Sequence, residues 1–152
     1  MRKISRKKGP VVSKKIVYDG ITFASGLEKY MYIALKKANI EFVYEGFTFE
    51  LVPSFTFKNE CFERQSNGKG DFLNRGNKKV LNLKYTPDFI GIDFIIETKG
   101  RANDSFPLRW KMFKEWMMDN NDNRTLYKPQ NQNECDETIK LILKQRQDDI
   151  KQ

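Results

Sequence analysis

The chain of 152 residues contains no histidine and only two cysteines. Without histidine, Ser-His-Asp and Cys-His catalytic arrangements and His-ligated metals are excluded. Cys61 and Cys135 lie far apart with no partner at ligand spacing, so we expect neither a zinc site nor a disulfide framework. The sequence also lacks an apolar run of about 18 residues and a secretory signal. These absences predict a protein of the reducing cytoplasm, whose hydrolytic chemistry would depend on carboxylates, lysine and hard metal ions.

Positive charge is concentrated at the N-terminus, whereas the rest of the chain is nearly neutral. The basic residues of segment 1–15, which has no acidic residue, are Arg2, Lys3, Arg6, Lys7, Lys8, Lys14 and Lys15. Basic arms of this kind often bind polyanions, so we predict a flexible arm that contacts nucleic acid. A solubilising terminus with no ligand is the alternative.

Apolar spacing and turn residues predict the regular elements. The Asp-Gly pair in 15–23 predicts a hairpin, and Ser25 followed by Glu28 forms a capping box that begins a helix ending near Asn39. We further predict strands over 40–57, 80–90, 92–99 and 124–129, and helices from Ser105 and over 136–150. This order predicts an α/β fold with about one central mixed sheet flanked by helices.

Residues 58–79 are polar and interrupted by glycine, so they predict a long excursion between two paired strands. Excursions of this length are either disordered or functional. Because this one carries several lysines and arginines, contact with a substrate is one interpretation of it.

The segment YTPDFIGIDFIIETKG at 85–100 places Asp88, Glu97 and Lys99 in the most apolar part of the chain. Strand alternation puts Glu97 and Lys99 on one face, and a tight link at Gly91 brings Asp88 beside Glu97. Two close carboxylates favour Mg²⁺ or Mn²⁺, and Lys99 can position or deprotonate water. Such a site suits phosphodiester hydrolysis. On spacing alone, a salt bridge and a turn residue explain the same charges.

The motifs TPD at 86–88 and ETK at 97–99 resemble the signature of the PD-(D/E)xK nucleases. SGLE at 25–28 resembles the further acidic residue of these enzymes, and EFVYE at 41–45 extends the likeness. Over roughly residues 20–128, the pattern is similar to the phage Holliday-junction resolving enzymes of the endonuclease I type. The resemblance implies a restriction-endonuclease-like core and a homodimer that cleaves branched DNA with Mg²⁺, for which Mn²⁺ substitutes. It also implies a bacterial or phage-infected cell.

The resemblance assigns roles to individual residues. Asp88, Glu97 and the backbone carbonyl of Thr98 would be metal ligands, and Lys99 would assist the attacking water. Glu28 would complete the acidic cluster, directly or through water. The implied division of the chain is a basic arm at 1–15, a nuclease domain at 16–130 with an insertion at 58–79, and a C-terminal helix at 131–152.

Arg101, Arg109 and Lys111 are further candidates for contact with phosphate, although a solvated face explains such charges equally well. Two other functions stay open. One is a phage or mobile-element endonuclease that cuts duplex DNA, of the homing, restriction-like or transposition-end kind. The other is a non-catalytic DNA-binding module. The sequence shows no helix-turn-helix or zinc finger, which favours recognition of DNA structure over base sequence.

Overall fold

The computed structural model of the protein describes residues 14–101 and 105–151. These residues form three helices: α1 (Gly26–Lys37), α2 (Phe106–Asp119) and α3 (Gln132–Ile150). They also form twelve short strands: β1 (Ile16–Tyr18), β2 (Ile21–Phe23), β3 (Val43–Tyr44), β4 (Phe49–Val52), β5 (Phe55–Phe57), β6 (Phe62–Glu63), β7 (Leu73–Asn74), β8 (Lys78–Val80), β9 (Leu83–Tyr85), β10 (Phe89–Ile90), β11 (Phe94–Ile96) and β12 (Thr125–Tyr127). None of the helices in these ranges has the length and apolar character that crossing a bilayer requires.

The chain divides into two compact units, each assembled from separate stretches of sequence. The first unit comprises Met1–Glu45, Asp88–Ala102 and Arg124–Gln152. The second comprises Gly46–Pro87 and Asn103–Asn123. The helix expected at 131–152 therefore belongs to the first unit, and the insertion expected at 58–79 belongs to the second.

A four-stranded sheet in the order β12-β11-β10-β3 forms the centre of the first unit. β11 runs parallel to β12, whereas β10 is antiparallel to both β11 and β3, so the sheet is mixed. The predicted mixed α/β class is thereby confirmed. The hairpin β1-β2 is confirmed too, because Asp19 and Gly20 adopt the positive φ angles, 52° and 72°, that a tight hairpin turn requires.

Helices α1 and α3 contribute to one apolar core in the first unit. Met31 and Leu35 of α1 are fully buried, as are Phe89 of β10 and Ile96 of β11. Ile142 of α3 joins them in the same cluster. Fully burying each side chain of this size contributes about 1.5–3 kcal/mol, so α3 is an integral part of the unit.

Helix α3 begins four residues before the predicted start of 136. The Asn131 side chain accepts a hydrogen bond from the Glu134 backbone N–H, which caps the helix at its true start. The apolar row predicted for this helix is only partly buried, since Ile142 is enclosed while Ile150 is exposed.

Aromatic packing between a strand pair and α2 organises the second unit. Phe49 of β4 and Tyr85 of β9 are paired partners, and both rings lie against Phe113 of α2 at centroid distances of 5.0 and 4.7 Å. α2 follows Ser105, as the sequence predicts, with Pro107 in its first turn. Pro107 is tolerated there because the first helical N–H groups have no partner within the helix.

The long strands predicted over 40–57 and 80–90 are wrong in their extent. Glu45 has a φ of 46°, which ends β3, and Pro53 cannot donate to a ladder, which separates β4 from β5. Consequently, the expectation of about one sheet is also wrong. The strands of the described residues pair into one four-stranded sheet and four two-stranded sheets.

Candidate active site

Asp88 and Glu97 face each other across two neighbouring strands of the first unit. In the antiparallel register, Phe89 of β10 pairs with Ile96 of β11. Asp88 immediately precedes β10 and Glu97 immediately follows β11, so the next pair in this register consists of the two acids. Both residues are buried. The predicted juxtaposition of these two carboxylates at the strand ends is therefore confirmed.

One oxygen of Asp88 is engaged by a single neighbour. Its Oδ2 accepts hydrogen bonds from the backbone N–H of Thr98, at 2.7 Å, and from the Thr98 hydroxyl, at 2.6 Å. Within the part of the chain that the structure describes, no hydrogen bond reaches Oδ1 of Asp88. The pair of bonds fixes the orientation of the carboxylate and leaves its second oxygen available to a ligand.

The electrostatic setting of Asp88 disfavours its charge. Burial, followed by the neighbouring charge of Glu97, raises the pKa of this carboxyl to about 8. The charge of Glu28 adds a smaller effect of the same sign, while the two hydrogen bonds from Thr98 oppose it. The cause is that burial removes the carboxylate from bulk solvent and that carboxylates of the same charge lie beside it. A bound cation would reverse this imbalance.

Glu28 lies in the first turn of α1 and is buried. Of the capping box predicted there, the N-cap is confirmed, because the Ser25 hydroxyl oxygen accepts from the Glu28 N–H at 3.2 Å. The Glu28 carboxylate returns a bond to the hydroxyl of Ser25, which donates to Glu28 Oε1 at 3.1 Å. Oε2 of Glu28 accepts from the Ala24 N–H at 3.0 Å and from the Tyr44 hydroxyl at 2.8 Å. Both carboxylate oxygens are thus held by donors of the first unit.

Two hydroxyl groups that bond to the acidic residues of the candidate site, those of Tyr44 and Thr98, are not predicted from the sequence. Tyr44 occupies the edge strand β3 and donates its hydroxyl proton to Glu28. Burial, followed by the bond to Glu28, raises the pKa of Tyr44 well above its ordinary value, so the phenol stays protonated. The motif EFVYE contains this tyrosine, but strand pairing alone decides toward which partner its ring points.

Lys99 lies beside Glu97, with its Nζ 3.9 Å from Glu97 Oε1. The backbone on both sides is tied to the segment that includes β12, since Glu97 N–H donates to the Tyr127 carbonyl and Lys99 N–H donates to the Pro129 carbonyl, each at 3.0 Å. The ammonium group is partly exposed, and it can therefore meet both the carboxylate and an incoming solvent molecule or anion.

The candidate DNA contacts fall into three groups. Arg2, Lys3, Arg6, Lys7 and Lys8 lie outside the described residues. Lys14, Lys15 and Arg101 are exposed in the first unit, and Arg109 and Lys111 are exposed on α2 of the second unit. These side chains are accessible to a ligand, and each remains a prediction.

Among residues 14–101 and 105–151, no three acidic, cysteine or histidine side chains are arranged as a set that could hold a metal ion. The acids that face each other are the pair Asp88 and Glu97, and Glu28 is bound by its own helix terminus and by Tyr44. Glu28 influences this pair through its charge, which raises the pKa of Asp88, and its predicted place in the acidic cluster stays a prediction.

Residues 9–130 match the model of a protein family described as "Protein of unknown function (DUF1064)". The match includes the whole of the candidate site and all of the second unit. Neither a curated protein nor a solved structure matches the chain.

Proposed function

We propose that this chain, which belongs to the DUF1064 family, is a metal-dependent endonuclease that hydrolyses phosphodiester bonds in DNA. The observation that carries the proposal is the buried pair Asp88 and Glu97, with the Lys99 ammonium 3.9 Å from Glu97. The four-stranded mixed sheet with helices α1 and α3 is consistent with the restriction-endonuclease-like core that the motifs suggest.

The donor set fits a hard divalent cation. Carboxylate oxygens are ligands that Mg²⁺ and Mn²⁺ prefer, and Asp88 presents an oxygen that no described neighbour occupies. The raised pKa of Asp88 also supports a cation site, because two buried like charges are stable together only when a cation offsets them. Asp88, Glu97 and the Thr98 carbonyl would hold the ion, and the ion would polarise the phosphate and stabilise the leaving oxygen.

The side chains of this site have distinct tasks in the proposed reaction. Thr98 holds Asp88 in one orientation, while Tyr44 and Ser25 hold Glu28. Lys99 would orient a water molecule toward the phosphorus, and its positive charge would offset the negative charge that develops on the phosphate as the bond forms, while the proton of the attacking water passes to solvent. Because Glu97 lies within 4 Å of Lys99, its charge keeps the ammonium directed at the reacting centre.

We further propose a branched DNA substrate and a homodimer. Resolution of a four-way junction requires two cuts in opposing strands, which a two-fold symmetric dimer supplies with two identical sites. Light scattering of the protein with junction DNA tests this part, because a particle containing a single 18.0 kDa chain would contradict it.

A cleavage panel tests the reaction and the substrate together. A four-way junction, a flap and a linear duplex of matched sequence are incubated with the protein in Mg²⁺ and, separately, in EDTA. We expect Mg²⁺-dependent cleavage that is fastest on the junction and is lost in Glu97→Gln. The control is Glu137→Gln, an exposed carboxylate on α3 that should cleave like wild type. Equal rates on junction and duplex would favour the duplex endonuclease, and absence of cleavage on every DNA would overturn the proposal.

A further inference from the structure

A two-stranded ribbon spans residues 55–80 of the second unit. β5 pairs with β8 and β6 pairs with β7, both antiparallel. Between the two ladders, the Asn77 N–H donates to the Asn59 carbonyl and the Arg75 N–H donates to the Cys61 carbonyl, so the pairing continues. Residues 65–69 close the ribbon through hydrogen bonds between Gln65, Gly68 and Lys69. The polar excursion predicted at 58–79 is thus an ordered, elongated arm.

No residue of the four ribbon strands is buried, so the arm has no core on either face. An isolated two-stranded ribbon is marginally stable in water, and this one is held by local polar contacts. The Arg75 guanidinium donates to the carbonyls of Glu63 and Asp71, at 3.0 and 3.3 Å. Gly76 passes so close to Asn59 that any side chain there would collide with the backbone. These contacts stabilise the ribbon without covering its apolar side chains.

Four phenylalanines of the ribbon are exposed to solvent: Phe55, Phe57, Phe62 and Phe72. The most exposed of them, Phe72, leaves 67% of its surface accessible, and its ring lies 6.3 Å from that of Phe62. Exposed aromatic side chains grouped on one element mark an interaction surface more often than a structural accident. The partner must therefore offer flat apolar surface to these rings.

Charge identifies the partner class. Residues 55–80 contain six basic and three acidic residues. Lys78 and Lys79 pair in register with Phe57 and Thr56, so one ammonium lies on each face of the ribbon. In the described part of the chain, no ion pair engages either lysine. Two such ribbons from copies of this chain would repel each other, whereas a polyanion with stacked rings satisfies both features.

We propose that ribbon 55–80 is a DNA-binding arm, which sets its lysines against phosphates and stacks its exposed phenylalanines on bases released from the duplex stack. The choice of DNA rests on the proposed nuclease function. A two-stranded β-ribbon fits the width of the DNA major groove. Stacking of aromatic side chains on bases does not depend on the base sequence. The ribbon thereby favours branched or single-stranded sites, where unstacked bases are available.

The test measures binding of the full chain in EDTA to a labelled four-way junction, a single strand and a linear duplex. Phe62→Ala/Phe72→Ala should bind the junction and the single strand about 10- to 100-fold more weakly, with little change on the duplex. Lys78→Gln/Lys79→Gln should weaken binding to all three and reduce the duplex salt slope by about 0.9 per lost phosphate contact.

Two controls separate contact from misfolding. Leu108→Ala/Met118→Ala removes exposed apolar side chains of α2 and should bind like wild type. Phe62→Tyr/Phe72→Tyr retains both rings and should bind the junction like wild type. Wild-type affinity of the Phe62→Ala/Phe72→Ala protein for the junction would overturn the inference. If light scattering also gave this variant half the mass of the wild-type particle, the ribbon would be assigned to contact between copies of the chain.

The Mg²⁺ cleavage panel distinguishes failure of this inference from failure of the proposed function. A wild-type protein that binds junction DNA through the ribbon but never cuts it supports the arm and overturns the nuclease. A protein that cuts the junction at the same rate with and without the Phe62 and Phe72 rings, and binds it equally, supports the nuclease and overturns the arm.

Discussion

Asp88 and Asp93 lie before and after β10 in the sequence of the first unit, yet the charges that surround their carboxylates have opposite signs. Asp93 receives two hydrogen bonds from the Arg146 guanidinium, each 2.7 Å long, and this bonding lowers the pKa of its carboxyl. Asp88 faces Glu97 and has a raised pKa because burial and like charges disfavour its ionised form. The chain itself neutralises Asp93, whereas Asp88 lies buried beside carboxylates of the same charge. Under the proposed function, a bound cation would offset the charge of Asp88.

Removing one charge at the site should have the largest effect. Asp88→Asn or Glu97→Gln removes a ligand charge, so we expect cleavage to fall on the order of 10³-fold or more, since metal stabilisation of the transition state is worth several kcal/mol. Single-turnover cleavage of a labelled junction measures the loss. Asp93→Asn, the matched change on the other side of β10, should cleave at nearly the wild-type rate once folded. Equal losses in the two variants would remove the distinction.

Mg²⁺ should stabilise the fold through Asp88. Because the folded-state pKa of Asp88 is raised, the unfolded chain loses its proton first, and stability falls as pH rises from about 4 through about 8. At pH 8, Mg²⁺ at about 100 times its Kd should restore about 2.7 kcal/mol. Thermal unfolding in Mg²⁺ and in EDTA measures this gain.

The matched variant for the Mg²⁺ experiment is Asp88→Asn. Its amide keeps an oxygen for Thr98 but carries no charge, so in EDTA at alkaline pH it should be at least as stable as wild type. The Mg²⁺-induced shift should vanish in this protein. An equal shift in both proteins would mean that the ion binds elsewhere.

Breaking the Asp93–Arg146 pair should have a moderate effect on stability and little on chemistry. The side chains are about one-third exposed, so Asp93→Asn should cost about 1 kcal/mol at neutral pH, a value reduced for solvent screening. Since the pKa of Asp93 is lowered, this stabilisation exists above the unfolded pKa and is lost as pH falls through the folded one.

Urea unfolding of wild type and Asp93→Asn should therefore differ at neutral pH and converge as the pH falls through the lowered pKa of Asp93. Glu137→Gln breaks the exposed pair with Lys140 and serves as the control, with an expected cost of about 0.3–0.5 kcal/mol. A cost for Asp93→Asn no greater than that of the control would show that the start of the buried strand β11 does not need this anchor.

Among the changes at the candidate site, the smallest effect is expected from Tyr44→Phe, which removes one of the donors to Glu28 and keeps the ring. Loss of one hydrogen bond to a carboxylate that retains two other donors should slow cleavage about 5- to 10-fold, roughly 1 kcal/mol. Junction affinity in EDTA should be unchanged. A wild-type rate would show that the orientation of Glu28 does not influence the reaction.

Local signals in the sequence predict the elements around the site well. The Asp-Gly turn fixes the hairpin, and Ser25 with Glu28 fixes the start of α1 because their side chains bond to each other's backbone or hydroxyl. The boundaries of long strands are predicted poorly. Glu45 adopts a left-handed backbone conformation, which its residue type does not predict. The polar stretch 58–79, which contains glycines, forms a paired ribbon that is supported by hydrogen bonds from Asn and Arg side chains.

The sequence by itself determines that Asp88, Glu97 and Lys99 lie at adjacent strand ends, because strand alternation and a short link at Gly91 leave little choice of register. Only the tertiary structure decides what surrounds them. Tyr44 reaches Glu28 through pairing of β3 with β10, and Arg146 reaches Asp93 through packing of α3. These partners are separated in sequence by 16 and 53 residues, and no local propensity encodes contacts over such distances.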